Sequence, residues 1–224
     1  MIRAATRLQR LVDGAVLVGG SGAAIHLRHR FSYDDDHVVA DLRDRFDEIL
    51  ATLEQIAGWR SARVQRPVQI LGSLDGVDTG IRQLRRVEPL ETEFVAAGDG
   101  MLCIPSLPEM LRIKAWLVVS RNATRDYVDS AALAARLREL EGEGAVVGAF
   151  ARLDALYPQA NGESTLRQVV KQFADPKPYD FEHDAFEELR GLTPPWTSWE
   201  AVLAALREVA AESEIARAKP DTSG

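Results

Sequence analysis

Apolar residues at helical spacing (Ile2, Leu8, Leu11 and Val12) predict a first helix over 2–13. The apolar run 15–18 reads as a short buried strand. A helix is expected over 21–30, with Ser21 near its start, and a second strand over 34–39. The clearest stripe is Leu42, Phe46, Ile49, Leu50, Leu53 and Ile56, which predicts an amphipathic helix over 41–58 stopped by Gly58. Alternation at Ala62, Val64, Val68 and Ile70 reads as one strand over 60–71, with Pro67 marking an edge position or a break. Asp75–Gly76 signals a turn, and 77–85 reads as the hairpin partner. Strands follow at 90–96 and 101–104, either side of the turn Gly98–Asp99–Gly100.

From there the pattern turns helical. Helices are expected over 109–120, over 125–140 with Thr124 as N-cap, and over 145–156, 163–173 and 181–189. A last helix opens at Thr197 and runs to about Ala216. A strand-rich half followed by a helical half predicts an α/β (α+β) fold, a mixed sheet with flanking helices and then a helical C-terminal part. The expected division is a sheet domain over 1–105, a helical domain over 106–216 that contributes to the active site, and a disordered polar tail over 217–224.

The chemistry concentrates in VLVGGSGAAIHLRHRFSYDDD, residues 16–36. A strand, a glycine turn and a helix N-terminus make a phosphate site, because backbone N–H groups point outward there and glycine allows close approach. Asp34 and Asp36 alternate on a strand and share a face. Two hard oxygen ligands so placed suit Mg²⁺, which commonly takes one or two carboxylates and completes its shell with substrate phosphates. Asp35 and His37 interrupt and follow the pair.

Gly19–Gly20–Ser21, twelve residues, then Asp34-x-Asp36 resembles the GGS…DxD signature of the DNA polymerase β-like nucleotidyltransferases. The block from Pro105 to Ala115 and the block Arg121…Arg125–Asp126–Tyr127–Val128–Asp129 are similar to the AbiEii/AbiGii toxins of type IV toxin–antitoxin systems, including MenT-like proteins. The resemblance covers roughly residues 10–140. It implies transfer of NMP from an NTP, with Mg²⁺ or Mn²⁺, onto the 3′ acceptor end of tRNA, blocking aminoacylation and translation. It also implies a cognate antitoxin protein. Asp34 and Asp36 are then the metal ligands, with Asp78 a candidate third. Gly19, Gly20, Ser21, Lys114 and Arg121 bind the nucleotide. Lys114, Asp126 and Asp129 join the catalytic group.

Each residue has a plainer reading. Ser21 could simply cap a helix, the aspartates could form an acidic loop, and Lys114 could snorkel to the surface. Asp126 and Asp129, three apart on one helix face, could ion-pair with Lys114 or Arg121. A lysine within the apolar run MLRIKAWLVV is costly to bury unless it meets an anion. Ser32, two residues before Asp34, is a candidate regulatory phosphorylation site, since a phosphate there adds about −1.5 to −2 charge beside the metal pair.

A net charge of −7 argues against a general preference for nucleic acid, and no DNA partner is expected. Yet Arg3, Arg7, Arg10, Arg28, His29, Arg30, Arg60, Arg63, Arg66, Arg82, Arg85 and Arg86 crowd the first ninety residues, and a shared face among them could hold an RNA backbone. No apolar run reaches membrane-spanning length. The lone Cys103 excludes an intramolecular disulfide and fits a cytoplasmic protein. The alternatives to tRNA transfer are modification of a protein or small-molecule hydroxyl, and a non-catalytic binding module of the same fold.

Overall fold

The stripe of Leu42, Phe46, Ile49, Leu50 and Leu53 forms a helix whose apolar side is buried, and the sheet assembles against it. A computed structural model describes residues 2–98, 100–181 and 186–218, with residues 217 and 218 as backbone only. The chain divides into two compact units, Met1–Ile25 with Phe31–Ser106, and His26–Arg30 with Leu107–Gly224.

In the first unit the order is α1 (Ile2–Leu11), β1 (Val16–Leu17), α2 (Gly19–Leu27), β2 (Asp35–Val39), α3 (Leu42–Glu54), β3 (Trp59–Gln65), β4 (Gln69–Leu74), β5 (Val77–Gln83), β6 (Thr92–Ala97) and β7 (Gly100–Pro105). The first five strands form one sheet in the order β1-β2-β5-β4-β3. Only β2 and β5 run parallel, so the sheet is mixed. One face, with Val39, Ile70, Leu74 and Ile81, packs on Ala4 and Leu8 of α1, on Val12 just after it, and on the stripe of α3. A separate hairpin, β6–β7, buries Leu102 and Ile104 with Leu17 and Ala5. The Gln9 side-chain amide bonds both backbone groups of Cys103, fixing α1 to that hairpin.

Of the two readings of Pro67, the break holds: residues 60–71 are not one strand but the facing arms of a hairpin, β3 and β4, turning around Arg66 and Pro67, with β3 at the sheet edge.

The second unit contains α4 (Leu107–Arg121), α5 (Thr124–Glu141), α6 (Ala145–Phe150), α7 (Leu153–Leu156), α8 (Thr165–Ala174) and α9 (Trp199–Ala218). The expected helix 145–156 is thus two short ones. Its core is aromatic: Tyr127 meets Phe173 and the edge of Trp199, and Phe150 meets Phe173. Burial pushes the Tyr127 hydroxyl up to about 12, and that hydroxyl bonds Asn122. Thr124 does not cap α5. Its N–H and hydroxyl both donate to Asp180, at 2.7 and 2.8 Å, so a residue 56 positions away closes the helix start. Residues 182–185 of the short helix expected at 181–189, Asp99 in the expected turn, and the tail from 219 lie outside the described residues.

Candidate nucleotide and metal site

Helix α2 opens on Gly19 itself, two residues earlier than expected. Gly19 has φ +69°, a conformation that other residues adopt only under strain. A Cβ there would sit 3.3 Å from Cβ of Asp36 and 3.4 Å from its Oδ2. The glycine turn therefore lies against the side chain of Asp36. The Val18 N–H donates to the Asp36 carbonyl at 2.8 Å, and the Gly22 N–H donates to Val18 at 3.1 Å. The first N–H groups of a helix have no partner inside it, so those of Gly19, Gly20 and Ser21 stand where an anion is favoured.

Ser21 is placed differently from expectation. Its side chain is buried, and its hydroxyl donates to the Asp34 carbonyl oxygen at 2.5 Å. The hydroxyl ties the glycine turn to the carboxylate segment rather than standing open to a phosphate.

Strand β2 alternates as the sequence implies. Asp35, His37 and Val39 face inward, Asp34 is exposed and Asp36 is half-buried. Two carboxylates without deep burial fit Mg²⁺ with a shell completed by water and phosphate oxygens. Asp78 does not complete a third position. The residue registered beside Asp36 on β5 is Gly80, Asp78 is exposed at the strand's start, and no group of three His, Cys, Asp or Glu among the described residues could hold a metal ion. Arg82 is the other close charge, 3.6 Å from Asp36 Oδ1.

The inward pair is unusual. Neither ring nitrogen of His37 has a hydrogen-bond partner among the described residues, and the Asp35 carboxyl makes no well-formed hydrogen bond there, although the Ser21 hydroxyl lies near enough to favour its ionised form. Burial pushes the Asp35 carboxyl up to about 7, and the charges of Asp34 and Asp36 push the same way. Burial drives the His37 imidazole down to about 4. In both groups desolvation disfavours the charged form. Ser32 is half-buried in the segment before β2.

On the same side of β2 as Asp36, Val38 and its partner Val16 border a cavity of about 420 Å³. Leu90, Phe94, Met101 and Cys103 supply its apolar wall, and Arg10 and Asp13 its charges.

In the second unit, the two acids of α5 gather a buried cationic cluster. Lys114 Nζ is 2.8 Å from Asp129 Oδ2 and 3.5 Å from Asp126 Oδ1. Arg30 donates to both oxygens of Asp129, from Nε at 2.7 Å and Nη2 at 2.9 Å, and His29 Nε2 donates to Oδ1 at 2.8 Å. Arg121 pairs with both oxygens of Asp126. Burial alone would raise the Asp129 carboxyl, but Lys114 and Arg30 hold it well below the usual carboxylate range. Lys114 is therefore an ion-pair partner of the RDxxD acids, with no exposed face. Arg121 is the exposed member. The sequence marks His29 and Arg30 only as part of the early basic run, not as partners of the RDxxD acids. Their partner lies about a hundred positions away, and no spacing rule connects them.

No protein-family model matches the chain. Among curated proteins it is similar to the heme uptake protein MmpL11 of Mycobacterium tuberculosis, 37% identical over 99 residues, 43% of this chain and 10% of that one. It is also similar to the mycolic acid-containing lipids exporter MmpL11 of Mycolicibacterium smegmatis, 34% identical over 110 residues, 48% and 11% respectively. The chain thus spans about a tenth of the length of these relatives. No helix among the described residues is long and apolar enough to cross a membrane. Solved structures that align with it include a candidate nucleotidyltransferase from Helicobacter pylori, 12% identical over 96% of this chain and 94% of that one, with a TM-score of 0.43. A second is an antigenic nucleotidyltransferase-like protein from Paracoccidioides brasiliensis, 14% identical over 74% and 90%, with a TM-score of 0.45.

Proposed function

We propose that this chain is a metal-dependent nucleotidyltransferase that moves NMP from an NTP to a hydroxyl at the 3′ acceptor end of tRNA. The observation that carries the reading is the meeting of Gly19 with Asp36, with Ser21 bonded to Asp34 beside it. It brings a helix N-terminus, which favours phosphate, against a carboxylate pair that suits Mg²⁺.

In this reading the acceptor oxygen attacks the α-phosphorus, the bond to the bridging oxygen breaks, and pyrophosphate leaves. Asp34 and Asp36 would hold Mg²⁺ or Mn²⁺, and the ion supplies charge neutralisation at the phosphates. The N–H groups of Gly19, Gly20 and Ser21 orient a phosphate by hydrogen bonding. In the helical unit, Lys114, Arg30 and Arg121 gather around Asp126 and Asp129.

The resemblance to type IV toxins further suggests that transfer to tRNA stops translation and that a cognate antitoxin restrains it. Incubation with each α-labelled NTP, Mg²⁺ and total tRNA tests the reading. Label on tRNA with wild type and none with Asp36→Ala supports it. Label on protein instead moves the acceptor, and no label with any NTP rejects the enzyme.

A further inference from the structure

Strand register shows which side chains share a sheet face with Asp36, because directly paired residues point the same way. Asp36 pairs with Gly80, Gly80 with Leu71, and Leu71 with Arg63. One row along, Val38 pairs with Arg82. In the row on the other side, Asp78 pairs with Ser73 and Ser73 with Arg60. In a regular strand, residues three apart face opposite ways. Here the register shifts between Ser61 and Arg63, leaving Ala62 as a surplus residue. Arg60 and Arg63 consequently both fall on the face of Asp36.

All three arginines of this face are exposed. Neither Arg60 nor Arg63 has a side-chain hydrogen bond or ion pair among the described residues. Other arginines of the first unit are tied down: Arg7 to Asp75, Arg66 to Asp47, and Arg86 to the carbonyls of Glu88 and Pro89. Between Arg63 and Asp36 the row is flat and uncharged, with Gly80 lacking a side chain and Leu71 half-buried. Three strand spacings put Arg63 roughly 14 Å from Asp36.

We infer that this face is a track for the phosphodiester backbone of a single-stranded RNA acceptor end, held by Arg60, Arg63 and Arg82 and leading to Asp34 and Asp36. The inference rests on the proposed transferase reading for its direction, but its charge argument is independent. Phosphate neutralisation dominates such binding and makes it salt-dependent.

Fluorescence anisotropy with labelled total tRNA over a salt series tests it. It compares wild type, the double variant Arg60→Glu/Arg63→Glu and the conservative Arg60→Lys/Arg63→Lys. The Glu variant should bind tRNA roughly tenfold more weakly, with a salt slope smaller by about two, and the Lys variant should recover most of both. Calorimetric binding of Mg²⁺–NTP should be unchanged in all three. Equal tRNA affinity in wild type and the Glu variant overturns the track, as does poly-glutamate binding as tightly as tRNA, which would mark a site for an acidic protein. If wild type transfers no nucleotide to any acceptor, the transferase reading fails, and the anisotropy series still decides the track.

Discussion

Lys114 Nζ stands 2.8 Å from Asp129 Oδ2, with both side chains shut away from water. Removing one partner of a buried ion pair strands the other charge, at a cost of about 3–5 kcal/mol. Lys114→Met and Asp129→Asn should each lower the free energy of urea unfolding by an amount in that range. The folded Asp129 carboxyl is depressed, so its stabilisation is present above its unfolded value near ~4 and is lost as pH falls through the folded value. Wild type should lose stability steeply in acid. Asp129→Asn should start lower and show a flatter acid limb. An unfolding energy for Asp129→Asn equal to that of wild type at neutral pH would remove the cluster from the core.

Asp35 and His37 make opposite contributions to the pH dependence. With Asp35 raised to about 7, the native state binds more protons than the unfolded chain above ~4, so this group lowers stability as pH rises. With His37 lowered to about 4, the native state binds fewer protons below ~6.5, so this group raises stability as pH rises. Between those values the two slopes, each roughly 1.4 kcal/mol per pH unit, should nearly cancel. Asp35→Asn should therefore become more stable as pH rises from acid to neutral, and His37→Gln less stable. Urea titrations at several pH values read both signs directly.

Gly80 has no room for a side chain. A Cβ would meet Asp36 Oδ1 at 2.7 Å and Leu71 at 3.1 Å. The carboxylate is the part that can move, so Gly80→Ala should displace Asp36 with little loss of fold. Transfer activity should fall at least tenfold and the Mg²⁺ concentration for half-activity should rise, while the unfolding midpoint changes little. Full activity in Gly80→Ala would take Asp36 out of the metal site.

Ser32 lies half-buried two residues before Asp34. Ser32→Asp should suppress transfer by placing negative charge ahead of Asp34, whereas Ser32→Ala should keep it. The label assay on tRNA compares the two, and normal turnover in Ser32→Asp rejects the switch.

Local patterns made much of the sheet unit legible. The stripe of α3 and the alternation of Asp35, His37 and Val39 are periodic signals, and the structure carries both. The β3–β4 hairpin was not legible as two strands. Ala62, Val64, Val68 and Ile70 keep an even spacing straight through the turn at Arg66–Pro67, which lacks the usual glycine or asparagine, and the register shift at Ala62 leaves no mark in the sequence. At the candidate site, the glycine turn and carboxylates are visible as a motif, but the engagement of Ser21 with a backbone carbonyl is not. Nor is the grip of His29 and Arg30 on Asp129, or of Asp180 on Thr124. Those are contacts at long sequence separation, set by packing rather than by any local period.

Ala62 is a parity device. Deleting that one residue would restore an even count along β3 and send either Arg60 or Arg63 to the side occupied by Trp59 and the apolar interior, where a guanidinium has no partner waiting. The strand should therefore tolerate substitution at this position far better than shortening, since its length, not its chemistry, keeps two positive charges on one surface.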